Sequence, residues 1–205
     1  MKSYTVRDWV YIAVFGALWG ALELTLGAYL HVLFPPLANT FFTGLIMAGI
    51  GVAIALVGHT FVPRFGAVLF IGIITALLKV LSLGGSKIGP IVAILAEVIL
   101  MELALLPSTL RGKPPARWQY VLGGTLAVAW NFFHKFVMMR LLYGRGITEV
   151  YVKMVKDGSQ TLGIDVEQTV AIIGILFLLR VLVGAAAGWL AWDLGRLVSR
   201  RLARV

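Results

Sequence analysis

Apolar positions along this chain gather into six long stretches, at roughly 8–30, 40–58, 65–82, 89–107, 118–143 and 169–193. A helix needs ~20 apolar residues to cross ~30 Å of hydrocarbon, so these stretches predict an all-α integral membrane protein with six transmembrane helices. The breakers fall between them. Pro35-Pro36 separates the first pair and Pro63 the second. Gly84-Gly85-Ser86 with Gly89-Pro90 closes the third, and Pro107 through Pro114-Pro115 the fourth. One long polar connection, about 144–168, carries an amphipathic pattern around Ile147–Val155 that predicts a short surface helix. No internal repeat or low-complexity tract interrupts the chain, which reads as a single domain over 1–205.

Composition sharpens this picture. The chain is 60% hydrophobic and only 13% charged, against ~25% charged in an average soluble domain. Its net charge of +9 does not imply nucleic acid, because no basic-aromatic soluble module is present. The basic residues instead sit in short connections. Lys2 and Arg7, then Arg64, then Arg111, Lys113 and Arg117, and finally Arg196, Arg200, Arg201 and Arg204 alternate onto one side of a six-span chain. By the positive-inside rule that side is cytoplasmic, giving an N-in/C-in topology in the cell (plasma) membrane. In the long connection on the opposite side, Arg145, Lys153 and Lys156 are balanced by Glu149, Asp157, Asp165 and Glu167. The first stretch contains Glu23 and ends without a small-x-small cleavage pattern, so it is read as a retained helix and not a signal peptide. With no cysteine in the chain, disulfides, thiol catalysis and thiolate metal sites are excluded.

Several ionisable residues nevertheless lie inside the apolar stretches. They are Glu23 in the first, Lys79 in the third, Glu97 and Glu102 in the fourth, His134 and Lys135 in the fifth, and Arg180 in the last. Each charge at the bilayer centre costs at least ~2.5 kcal/mol, so each needs a partner or a purpose. In Asn131-Phe-Phe-His-Lys-Phe-Val-Met-Met-Arg140, the residues Asn131, His134 and Lys135 stand at i, i+3 and i+4 and share one helix face. With Lys79 and Glu97 they fall in the outer half of the membrane and form a candidate pocket for a small-molecule substrate. The structural alternative pairs Glu97 or Glu23 with Lys135 or Arg180 to fix helix register. Trp118, Trp130, Phe132, Phe133 and Phe136 supply either pocket walls or lipid-facing surface. The glycines of Leu83–Pro90 suit a ligand-binding loop or a plain turn, and the P-loop spacing is absent. His31, His59 and His134 lie in separate segments, with His59 on the opposite side, so no metal site is expected. Neither HExxH nor GxSxG occurs, and neither an enzyme nor a bound cofactor is predicted.

Small residues add a second feature. Ala13, Ala17 and Ala21 repeat every fourth residue in the first helix beside Gly16 and Gly20, and Gly184 and Gly188 repeat the device in the last. Such rows let helix backbones approach closely in lipid. The last helix is expected to use its pair internally, while the two rows of the first serve an internal neighbour and an external partner.

Six helices with both ends inside, the alanine row and the outer-side polar groups together resemble the substrate-binding S components of energy-coupling factor (ECF) transporters. That resemblance implies a membrane-embedded subunit that captures a vitamin or related micronutrient. It further implies that Ala13, Ala17 and Ala21 dock on a transmembrane coupling subunit, with two ATPase subunits supplying the energy. Cobalt and nickel members carry a histidine directly after the initiator methionine. Here that position is Lys2, which disfavours metal uptake. The cations Lys79, Lys87 and Lys135 favour a ligand with carboxylate, phosphate or carbonyl acceptors, and Glu97 admits an amine or ring N–H. Two other classes stay open from the residues alone: an autonomous ion-coupled carrier or channel relaying through Glu23, Glu97 and Arg180, and a membrane enzyme of unknown chemistry.

Overall fold

A computed structural model describes residues 3–33, 40–81, 88–144 and 146–202. The side chains of several helical residues, Lys135 and Phe136 among them, lie outside the described set. Seven α-helices and one 3-10 turn account for most of the described chain, and no strand occurs among these residues.

Helix α1 (Val6–Leu33) opens on a reciprocal cap, in which Thr5 N–H donates to Asp8 Oδ2 at 2.8 Å and Asp8 N–H donates to Thr5 Oγ1 at 3.3 Å. Helix α2 (Thr40–Phe61) stops just ahead of Pro63, whose ring disfavours a helical residue before it. The chain then turns through Gly66 at φ 86°, a left-handed conformation natural to glycine, into α3 (Ala67–Val80). The Gly66 amide just ahead of α3 is satisfied from another helix. Glu102 Oε1 accepts Gly66 N–H at 2.6 Å, and its carboxylate also faces the amides of Val68 and Leu69. A negative charge at a helix N-terminus is favourable on two counts, hydrogen bonding and dipole.

Helix α4 (Ile88–Leu110) carries Pro107 in its last turn. Gln119, in the first turn of α5 (Arg117–Tyr143), bridges the two helices: its Nε2 donates to Ala104 O at 3.1 Å, while its Oε1 accepts Ala116 N–H at 2.9 Å and the Ser108 hydroxyl. After Gly144, α6 (Ile147–Leu162) forms the expected surface helix, but runs two turns beyond the expected Val155. A 3-10 turn at Val166–Gln168 leads into α7 (Thr169–Leu202), which continues past the expected end at 193 because arginine is a good helix former.

Helix α1 lies against α2 and α3, α4 joins α3 to α5, and α7 closes the bundle between α5 and α2. The main core contains Trp19, Leu56, Ile71, Met101, Leu105 and Tyr120. A second cluster, with Phe132, Met154, Val155, Ile172 and Leu176, seats the apolar face of α6 on α5 and α7. The tightest crossing is between α5 and α7. A Cβ on Gly124 would run into Gly184 O, one on Gly184 into Gly124 O, and one on Gly188 into Tyr120 O, so Gly184 and Gly188 are consumed inside the protein as expected.

The N-terminal segment, the α2–α3 turn, the α4–α5 turn and the late part of α7 meet at one end. There Asp8 pairs with Arg64 at 3.2 Å, Tyr4 Oη donates to Phe65 O, and Arg117 pairs with Asp193 at 2.5 Å. Burial, reinforced by the Glu102 carboxylate, pushes the Tyr4 phenol up to about 12.

Four of the expected spans are long and apolar enough to cross a membrane: Val6–Leu26, Phe42–Phe61, Ile88–Leu110 and Val166–Arg201. Helix α3 is a shorter apolar helix of 14 residues, or about 21 Å. Helix α5 has 27 residues but is interrupted by Gln119, Asn131, His134 and Lys135, and is not among the four.

Candidate functional site

The polar turn of α5 is divided between two neighbours. Asn131 Nδ2 donates to Glu97 Oε1 at 3.3 Å, joining α5 to α4. Glu97 is buried, and so are Thr43 and Ala48 on the adjacent stretch of α2. A Cβ placed on Gly44 of α2 would stand 3.3 Å from Asn131 Oδ1, so this carboxamide is enclosed by three helices. One turn on, His134 is buried and hydrogen-bonded to the Gly89 backbone at the start of α4, while its Nδ1 is buried with no hydrogen-bond partner among the described residues. The Trp130 ring lies 6.3 Å from it, and Trp130 Nε1 is likewise buried with no partner among the described residues. Two unused ring nitrogens thus stand one helical turn apart. Each is a group that burial penalises until something hydrogen-bonds to it.

Lys79 is held elsewhere. Its Nζ lies 3.0 Å from Glu23 Oε2 and 3.2 Å from the Glu23 carbonyl oxygen, tying α3 to α1. Lys79, expected in the substrate pocket, is thus the partner of Glu23, for which Lys135 or Arg180 was the expected partner. Parallel α1 and α3 bring the two residues to the same height, as the contacts of Gly16 with Ile74 and Gly20 with Leu78 show lower down. The Glu23 carboxylate is within electrostatic reach of Glu97. Arg180 is buried on α7, where Nη1 donates to Leu176 O at 3.1 Å and the guanidinium lies over the Phe132 ring, 5.4 Å from its centroid. Phe132 also stands edge-on to Phe177 at 5.6 Å. Phe133 and Trp118 are exposed.

The Lys135 side chain, Lys87 and the loop 82–87 lie outside the described residues. The structure therefore brings together Glu97, Asn131 and His134 along the α4–α5 seam, and assigns Lys79 to Glu23. No group of three or more His, Cys, Asp or Glu side chains suited to a metal ion occurs among the described residues.

Two polar arrangements have no counterpart in the sequence reading. Glu102 was identified only as an intramembrane carboxylate, and its role at the start of α3 depends on the turn at Gly66. At the basic end, buried His59 Nδ1 and Thr60 Oγ1 each lie 3.1 Å from Tyr120 Oη, joining α2 to α5 beneath Trp192. Neighbouring polar residues at the end of α2 were the only hint of it.

Fold and composition together define an all-helical protein with several helices built to cross a membrane. No known protein family, curated protein or solved structure matches the chain.

Proposed function

We propose that the protein is a non-catalytic substrate-capture subunit of the ECF S-component type. In this reading it spans the plasma membrane six times with both termini inside and binds a vitamin or related micronutrient. A coupling subunit and two ATPase subunits energise uptake. One observation carries the proposal. Ala13, Ala17 and Ala21 are all exposed on α1, whereas Gly16 and Gly20 are buried where added Cβ atoms would meet Ile74 and Leu78. Of two adjacent small-residue rows, one is used within the bundle and the other is left on its outer face, smooth enough for a second helix to approach closely.

The proposed substrate groups are Glu97, Asn131, His134 and Lys135. The first three line one seam at the end opposite the basic turns, and the free ring nitrogens of His134 and Trp130 offer hydrogen bonds to a polar ring. Lys79 serves this site indirectly, by neutralising Glu23.

Co-expression with candidate coupling and ATPase subunits, followed by uptake assays and mass spectrometry of the retained small molecule, tests the proposal. Transport by the isolated protein in vesicles without any ATPase overturns it in favour of an autonomous carrier, a reading that the Glu23–Lys79 pair within electrostatic reach of Glu97 supports. In this cysteine-free chain, a cysteine at Ser159 should label from outside and one at Ser199 only after permeabilisation.

A further inference from the structure

Basic charge at the arginine-rich end is concentrated where α7 outruns its neighbours. Gly195 lies against Thr60 in the last turn of α2, and α7 continues beyond this contact to Leu202. With 34 residues, α7 is about 51 Å long, some 20 Å more than the hydrocarbon thickness of ~30 Å. Its outer face stays apolar up to the exit. Leu190, Leu194, Leu197 and Val198 are exposed at i, i+4, i+7 and i+8. Arg201 continues this stripe and Arg200 lies beside it, while Arg196, one turn before Arg200, stands on the face of Trp192; all three are exposed. The nearby acid, Asp193, is already paired with Arg117. Two indoles mark the depth: Trp189 lies under the Arg117 guanidinium at 4.5 Å and Trp192 under that of Arg196 at 5.1 Å. Tryptophan beside arginine is the pairing expected at headgroup level, one group amphipathic and the other able to snorkel.

We propose that this end of α7 binds the phosphate headgroups of anionic phospholipids, through Arg196, Arg200 and Arg201. The guanidinium fork matches a phosphate bidentately. The apolar stripe selects lipid over a soluble anion, because it holds the arginines at the boundary where acyl chains end and headgroups begin. The site lies apart from the proposed substrate seam and does not depend on it.

The test uses the full-length protein in phosphatidylcholine vesicles containing a minor fraction of brominated phosphatidylglycerol or, as control, brominated phosphatidylcholine. Tryptophan quenching is read for both. The brominated anionic lipid should quench more strongly, and raised salt should weaken the difference. R196Q/R200Q/R201Q should lower the preference by roughly 100-fold, taking about fivefold per arginine, whereas R196K/R200K/R201K, which keeps the charge but loses the fork, should fall between that variant and the wild type. Equal quenching by the two lipids overturns the proposal, as does a preference that survives in the glutamine variant. If that variant does not fold, a wild-type preference insensitive to salt has the same consequence. Loss of the preference on adding inorganic phosphate at constant ionic strength would assign the arginines to a soluble anion instead. An unchanged lipid preference with impaired uptake in the glutamine variant would assign them to a protein partner.

Discussion

Lys79 Nζ sits 3.0 Å from Glu23 Oε2, with the two side chains only 16% and 12% exposed, so α1 and α3 are joined by an ion pair within the apolar part of the bundle. The same ammonium also donates to the Glu23 carbonyl oxygen. A pair held this way costs most when halved. Lys79→Met, leaving the Glu23 carboxylate alone, should destabilise the protein by about 3–5 kcal/mol, while Glu23→Gln with Lys79→Met should recover most of that loss. Thermal unfolding in detergent measures both. Equal stability of the single variant and the wild type would show that the pair is incidental.

The two small-residue rows of α1 should respond differently to bulk. Gly20→Leu would drive its side chain into Leu78 and should lower the midpoint of unfolding, in line with overpacking costs of about 1–3 kcal/mol. Ala17→Trp adds bulk to an exposed position and should change stability by no more than about 0.5 kcal/mol. It should nevertheless abolish co-purification with a coupling subunit. Stability and pull-down, measured on the same two variants, separate internal packing from docking.

At the α5–α7 crossing the obstacle is backbone, which cannot rotate away. Gly124→Ala and Gly188→Ala should each destabilise the protein by at least about 1–3 kcal/mol, because the new methyl meets main-chain atoms of the facing helix. Gly174→Ala, on the same α7 but with nothing within 4 Å of the added carbon, should instead be neutral or stabilising by up to about 1 kcal/mol. Chemical unfolding of the three variants gives the comparison.

For the α4–α5 seam, Asn131→Ala removes the donor on Glu97 and should weaken ligand binding by about 1.5–3 kcal/mol, tenfold or more in affinity. His134→Ala and Lys135→Met should do likewise. The Glu23→Gln/Lys79→Met double variant, which keeps the interior charge balanced, should bind nearly as well as the wild type. Isothermal titration with the retained small molecule decides. Unchanged affinity in all three seam variants would make the polar turn purely structural.

The helical class, most helix positions, the surface helix near 147 and the paired use of Gly184 and Gly188 follow from the sequence, because apolar runs, Pro and Gly breakers and small-residue spacing are local signals that any membrane helix must obey. Which polar residues meet is not local. Lys79 and Asn131 both face Glu residues on other helices, and nothing in their own segments distinguishes one carboxylate from another. Register along the crossings makes that choice: α1 and α3 run parallel with Gly16 at Ile74 and Gly20 at Leu78, which delivers Lys79 to Glu23, while α4 against α5 delivers Asn131 to Glu97. The same holds for Glu102, whose purpose appears only when the Gly66 turn brings three unsatisfied amides to it. Spacing alone set Ala13, Ala17 and Ala21 on one face of α1. Tertiary structure decided that α3 covers the neighbouring glycine face and leaves the alanines outside, since Ile74 and Leu78 need the deeper notch that only glycine provides.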